Sequence, residues 1–83
     1  MSWYVYMLRC VDDSLYTGVT TCVTRRVREH NQAGSAAAYT RTRRPVTLVY
    51  QEPCRSRSAA LRREAEIKRF RRADKLRLIA GKY

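Results

Sequence analysis

The chain reads as an α+β domain, a three-stranded antiparallel sheet flanked by helices in the order β-β-α-β-α-α. Three observations predict it. An aromatic and apolar run, "SWYVYMLR" at 2–9, is followed after a tight turn by a second short run, "LYTGV" at 15–19. A proline-bounded segment, "VTLVYQE" at 46–52, shows the two-residue alternation of a strand. The remaining periodic stretches have helical spacing, and the longest is opened by serines. At 83 residues the chain supports one domain, 1–83, around one modest core.

Each element has its own justification. Residues 2–9 are apolar enough for a buried strand. Asp12, Asp13 and Ser14 are turn formers, and so short a link makes the 15–19 strand an antiparallel neighbour. Thr20 or Thr21 is the expected cap of a helix over 22–32, where Cys22, Val23 and Val27 form a narrow apolar stripe on a basic background. Residues 33–44, "AGSAAAYTRTRR", have no period and read as a loop. Pro45 opens the third strand, with Val46, Leu48 and Tyr50 on one face and Thr47, Val49 and Gln51 on the other, and Pro53 ends it. Ser56 or Ser58 caps a helix of about 58–71. A last helix, about 73–80, carries Leu76, Leu78 and Ile79 and stops at Gly81.

Charge narrows the function. Eighteen Lys and Arg against seven Asp and Glu give +11, and fifteen of the cations are arginine. The guanidinium fork matches phosphate oxygens in pairs, so nucleic acid is the expected partner. No apolar run is long enough to cross a bilayer and no stretch pairs a basic face with a strong apolar one, so no membrane partner is expected. Cys10, Cys22 and Cys54 are odd in number and lack ligand spacing. They read as reduced, half-buried thiols of a cytoplasmic protein, with the nucleoid or nucleus as DNA-bound alternatives.

"YVY" at 4–6, "YTG" at 16–18, Arg26 ten residues after Tyr16, His30 one helical turn later and Glu64 in "ALRREAEIK" occur in a fixed order. That ordered set resembles the GIY-YIG nuclease domain. The small stand-alone members of the UPF0213 type are the most similar, since their loop and third strand resemble "AAYTRTRRPVTLVYQE". The resemblance implies the GIY-YIG fold and a DNA endonuclease using a single Mg²⁺ or Mn²⁺. Repair or recombination intermediates are the candidate substrates, RNA is a second candidate, and a partner protein is a candidate source of target recognition. By position it assigns catalysis to Tyr6, Tyr16, Arg26 and His30, and the metal to Glu64. The chain departs in two places: Tyr4 stands where the first motif often has glycine, and the tail "LRLIAGKY" lacks the asparagine of fuller relatives. A non-catalytic nucleic-acid-binding module with the same fold is the alternative.

The residue types suit the chemistry. Phosphodiester hydrolysis needs a proton acceptor for water, neutralisation of charge on phosphorus, and help for the leaving oxygen. A hard ion on a carboxylate serves the last two, and Arg26 can clamp non-bridging oxygens through two N–H donors. A phenol near cations can take the proton; whether Tyr6, Tyr16 or His30 does so stays open at this level. Glu64 is preferred to Glu66 because it shares a helical stripe with Ala60, Ile67 and Arg71, whereas Glu66 lies near Arg62 and Arg69. Arg25, Arg28, Arg41, Arg43 and Arg44 are candidate phosphate contacts, with Tyr39 as a stacking partner. Gly18 is expected to leave room beside Tyr16 for the substrate backbone. Tyr4 shares a strand face with Tyr6, for packing or stacking.

Overall fold

Strand β1 (Trp3–Arg9) runs through the middle of an antiparallel sheet of order β2-β1-β3, with β2 at Leu15–Thr20 and β3 at Thr47–Cys54. The helices are α1 (Val23–Asn31), α2 (Ala38–Arg41), α3 (Arg57–Lys68) and α4 (Arg72–Ile79). This is a computed structural model, which describes residues 2–32 and 38–82.

The apolar run of β1 follows from its central place. Val5, Tyr6, Met7 and Leu8 are all buried, and strand alternation sends them to two different cores. Val5 and Met7 pack with Ala60 and Ile67 of α3 and Leu78 of α4. Tyr6 and Leu8 pack on the other face with Cys10, Val46 and Val23 of α1. The sheet is therefore covered on both sides, and the motif tyrosines belong to the α1 side.

Several sequence expectations need correction. The alternation expected in β3 breaks at a bulge: Met7 opposes Tyr50 but Leu8 opposes Leu48, so Val49 is the extra residue. An inserted residue flips every later side chain, and Tyr50 packs on the α3 side while Leu48 stays with Tyr6. Pro53 lies inside β3 instead of ending it. An edge strand tolerates proline because one row of its N–H groups has no ladder partner to lose. The strand begins at Thr47, two residues beyond Pro45. Val46 is held before it by Asn31, whose side chain accepts from the Val46 N–H at 2.7 Å and donates to its carbonyl at 3.1 Å.

The helix boundaries also move. Neither Thr20 nor Thr21 caps α1; Cys22 occupies the N-cap without a side-chain bond, and Thr20 Oγ1 instead accepts from the Cys22 N–H at 3.1 Å. Part of the expected loop is α2, and residues 33–37 lie outside the described residues. Ser56, rather than Ser58, caps α3 by accepting from the Ala59 N–H at 3.1 Å. That helix ends at Lys68, so Arg71 leaves the Glu64 stripe and becomes the N-cap of α4. Gly81 closes α4 with φ of 75°, its N–H donating to Leu78 O and that of Lys82 to Arg77 O, a Schellman ending. All three cysteines are free thiols, but only Cys54 is half-buried; Cys10 is buried and Cys22 exposed.

Candidate active site

Two tyrosines project onto the α1 face because their strands are adjacent and antiparallel. Tyr6 opposes Gly18 in the ladder, and Tyr16 opposes Leu8 two positions along. The two rings lie 6.4 Å apart between centroids. Helix α1 packs over them and delivers Arg26 and His30, which share a helix face by their i, i+4 spacing. His30 is fully buried, with its ring centroid 5.9 Å from Tyr6 and 5.1 Å from Tyr16. The Tyr6 hydroxyl and His30 Nε2 share a 2.8 Å hydrogen bond. The positive charge of Arg26 acts on the same phenol, and its Nη1 donates to Glu29 Oε1 at 3.0 Å. Four of the sequence-predicted residues thus meet.

Their electrostatics follow from burial. Desolvation pushes the Tyr6 phenol up to about 12, against the hydrogen bond and positive charge of Arg26. Desolvation, helped by Arg26, pulls His30 down to about 4, so its imidazole is neutral at pH 7. Glu64 comes from α3, across the sheet from α1, and its negative charge acts on the Tyr6 phenol. Its side chain is 20% exposed, and Oε2 lies 3.3 Å from Lys68 Nζ. Glu66 is exposed and pairs with Arg63, not with the Arg62 and Arg69 expected as its neighbours.

Gly18 has a different job from the one expected. A β-carbon there would lie 2.6 Å from the Tyr6 hydroxyl oxygen and 2.7 Å from Cζ, so the space belongs to the Tyr6 ring and not to a substrate backbone beside Tyr16. Tyr4 packs against the Tyr6 core at its edge and borders a shallow groove of about 270 Å³ with Thr21–Thr24 and Gln51.

The GIY-YIG catalytic domain matches residues 2–77. The chain belongs to that family. A UPF0213 protein of Staphylococcus haemolyticus is 59% identical over 76 residues, covering 92% of each chain. A UPF0213 protein of Haloquadratum walsbyi is 60% identical over 75 residues, 90% of this chain and 83% of the other. The solution NMR structure of a UPF0213 protein from Bacillus halodurans superposes with a TM-score of 0.63 at 44% identity, covering 99% of this chain and 86% of that one. GIY-YIG domains form a nuclease superfamily whose members generally use divalent metals.

Around this GIY-YIG centre the basic residues divide. Arg25 and Arg28 of α1 and Arg41 of α2 are exposed, and Arg44 is half-exposed with its Nε donating to Arg41 O at 3.1 Å. Arg43 is half-buried and Tyr39 exposed, and both also make contacts within the fold. Arg43 Nε donates to Asp12 Oδ2 at 3.0 Å, Nη1 donates to Tyr39 O at 2.8 Å, and its Cζ sits 4.1 Å from the Tyr39 ring centroid. Tyr39 also lies 5.9 Å from Tyr16 at 31° and remains 40% exposed. These contacts lash α2 to the site and to the β1–β2 turn.

Sequence reasoning missed Thr40. It is fully buried on α2, and its hydroxyl lies 2.8 Å from His30 Nδ1. Nothing in "AAYTRTRR" marks it, because its partner is ten residues away and meets it only through packing.

The donor set admits a metal in one way only. Among the described residues no three His, Cys, Asp or Glu side chains gather, and His30 has both nitrogens engaged. Glu64 offers one hard, partly exposed carboxylate. Mg²⁺ and Mn²⁺ accept such a site when water and substrate oxygens complete the shell, so these residues fit an ion shared with substrate.

Proposed function

We propose that the chain is a divalent-metal-dependent endonuclease that hydrolyses phosphodiesters in DNA. The observation that carries this reading is the meeting of Tyr6, Tyr16, His30 and Arg26, from three separate segments, on one face of the sheet. Hydrolysis forms a bond from water oxygen to phosphorus, expels one ester oxygen with its electron pair, and releases a proton from the water. The expelled oxygen takes a proton from solvent.

Arg26 is held on one side by Glu29, which leaves other guanidinium donors to grip the non-bridging oxygens as charge builds on them. Tyr6 takes the water proton on its oxygen while its own proton moves along the 2.8 Å bond to His30 Nε2. This relay avoids a free phenolate, which burial makes costly. A histidine pulled down to about 4 gives the proton back readily when product leaves. Tyr16 and Arg26, both half-buried, border the approach to the deeply buried Tyr6 hydroxyl. Glu64 would hold the divalent ion, which when bound neutralises charge on the phosphoryl and leaving oxygens. Arg25, Arg28, Arg41 and Arg44 on a +11 chain supply phosphate contacts and salt-sensitive attraction. Repair and recombination intermediates are the natural substrates to try, with RNA in parallel.

The test is cleavage of plasmid, single-stranded, branched and RNA substrates with Mg²⁺, Mn²⁺ or EDTA. Metal-dependent cutting that disappears in Arg26→Ala and Glu64→Ala is the expected result. Retained binding without cutting under any metal makes the chain a nucleic-acid-binding module.

A further inference from the structure

His30 stands between two hydroxyls. Nε2 is 2.8 Å from the Tyr6 hydroxyl and Nδ1 is 2.8 Å from Thr40 Oγ1. A neutral imidazole has one N–H donor and one bare acceptor nitrogen, so one hydroxyl must give a proton and the other must receive one. Tyr6 decides which. The Arg26 guanidinium, whose positive charge acts on the phenol, only donates and so offers the Tyr6 O–H no acceptor. His30 Nε2 is the acceptor within reach at 2.8 Å. Nε2 is then bare, the proton sits on Nδ1, and Nδ1–H donates to Thr40.

We propose that Thr40 is a positioning residue: its hydroxyl oxygen accepts from Nδ1–H, fixes His30 in the Nδ1-protonated tautomer, and so keeps Nε2 open to the Tyr6 proton. The residue is well placed for this. Its side chain is fully buried, where water cannot substitute for it. Helix α2, which carries it, is pinned on both sides of Thr40. Tyr39 packs on Tyr16, and Arg43 joins Asp12 through its side chain and the Val11 N–H through its carbonyl at 2.9 Å. The Arg43 N–H also donates to the Thr40 carbonyl at 3.0 Å, closing the turn. If the proton moved to Nε2, that nitrogen would donate to the Tyr6 oxygen, and Tyr6 could no longer pass a proton to the ring. The tautomer, rather than the presence of a histidine alone, sets the direction of the relay.

The inference rests on the reading of Tyr6 and His30 as the proton-accepting pair, but its test does not require cleavage. Long-range ¹H–¹⁵N spectra of the imidazole at pH 7 report which nitrogen carries the proton. The wild type and Thr40→Ser are expected to show Nδ1–H and bare Nε2. Thr40→Val, which keeps the shape and removes the acceptor, is expected to show a mixed or Nε2–H ring. If cleavage is found, Thr40→Val should lose about tenfold in kcat with KM unchanged, the scale of one hydrogen bond to a positioned group, and Thr40→Ser should restore it. An Nε2–H ring in the wild type, or an unchanged Nδ1–H ring in a folded Thr40→Val, overturns the proposal without dependence on any variant's activity. Cleavage by no form of the protein defeats the nuclease reading alone, and the spectra still decide the tautomer.

Discussion

The Tyr6 hydroxyl and His30 Nε2 lie 2.8 Å apart although 24 residues of chain separate them. That bond joins the middle strand of the sheet to the last turn of α1 and sits in the buried heart of the site. Its surroundings make several outcomes predictable.

Gly18→Ala should destabilise the fold by about 2 kcal/mol, because the new methyl must displace the Tyr6 ring from a packed core. Tyr6→Phe removes only the hydroxyl and leaves Cζ 2.7 Å from the new carbon, so it should relieve the strain in part. Urea denaturation of both single variants and the double variant measures the coupling. Additive effects would contradict the packing argument.

His30 gives stability a pH signature. Its folded value, about 4, lies below the unfolded value near 6.5, so the unfolded chain binds the proton first as pH falls. Stability from this group is full above 6.5 and drains away down to about 4, by about 3 kcal/mol. Arg26, Glu29, Tyr6 and Tyr16 surround the ring and remain in His30→Phe. Denaturation midpoints across pH 4–7 should therefore show a flatter slope in that variant than in the wild type.

Arg26→Ala should cut cleavage on the order of a hundredfold or more, the usual loss when a charge-stabilising donor is removed, with a small effect on DNA affinity. Arg28→Ala, changing an exposed α1 arginine, should do the reverse: weaker binding and a salt slope reduced by about one, with turnover at saturation retained. A swap of these phenotypes would argue against Arg26 as the phosphate clamp.

Glu64→Gln should abolish metal-dependent cutting, whereas Glu66→Gln, on an exposed residue tied to Arg63, should leave it intact.

Thr17 is the one buried side chain whose hydroxyl lacks a hydrogen-bond partner among the described residues. Thr17→Val keeps its shape and removes a desolvated oxygen, so it should stabilise the protein by about 1 kcal/mol, read as a higher denaturation midpoint.

The chain's own order of residues determined a good deal. Strand alternation, the Asp12–Ser14 turn and the serine before α3 were legible because each is a local preference of a few neighbouring residues. The ordered tyrosines, arginine, histidine and glutamate stood out by their order and spacing, since arginine alone occurs fifteen times. Tertiary structure alone decided the rest. The bulge at Val49 moved Tyr50 to the other face, the Tyr6 ring claimed the space over Gly18, Arg43 settled over the Tyr39 ring, and Thr40 became the partner of His30. These outcomes depend on groups distant in sequence competing for the same buried volume and the same hydrogen bonds. A linear pattern records which groups a segment carries, and only packing settles which of them are spent on one another.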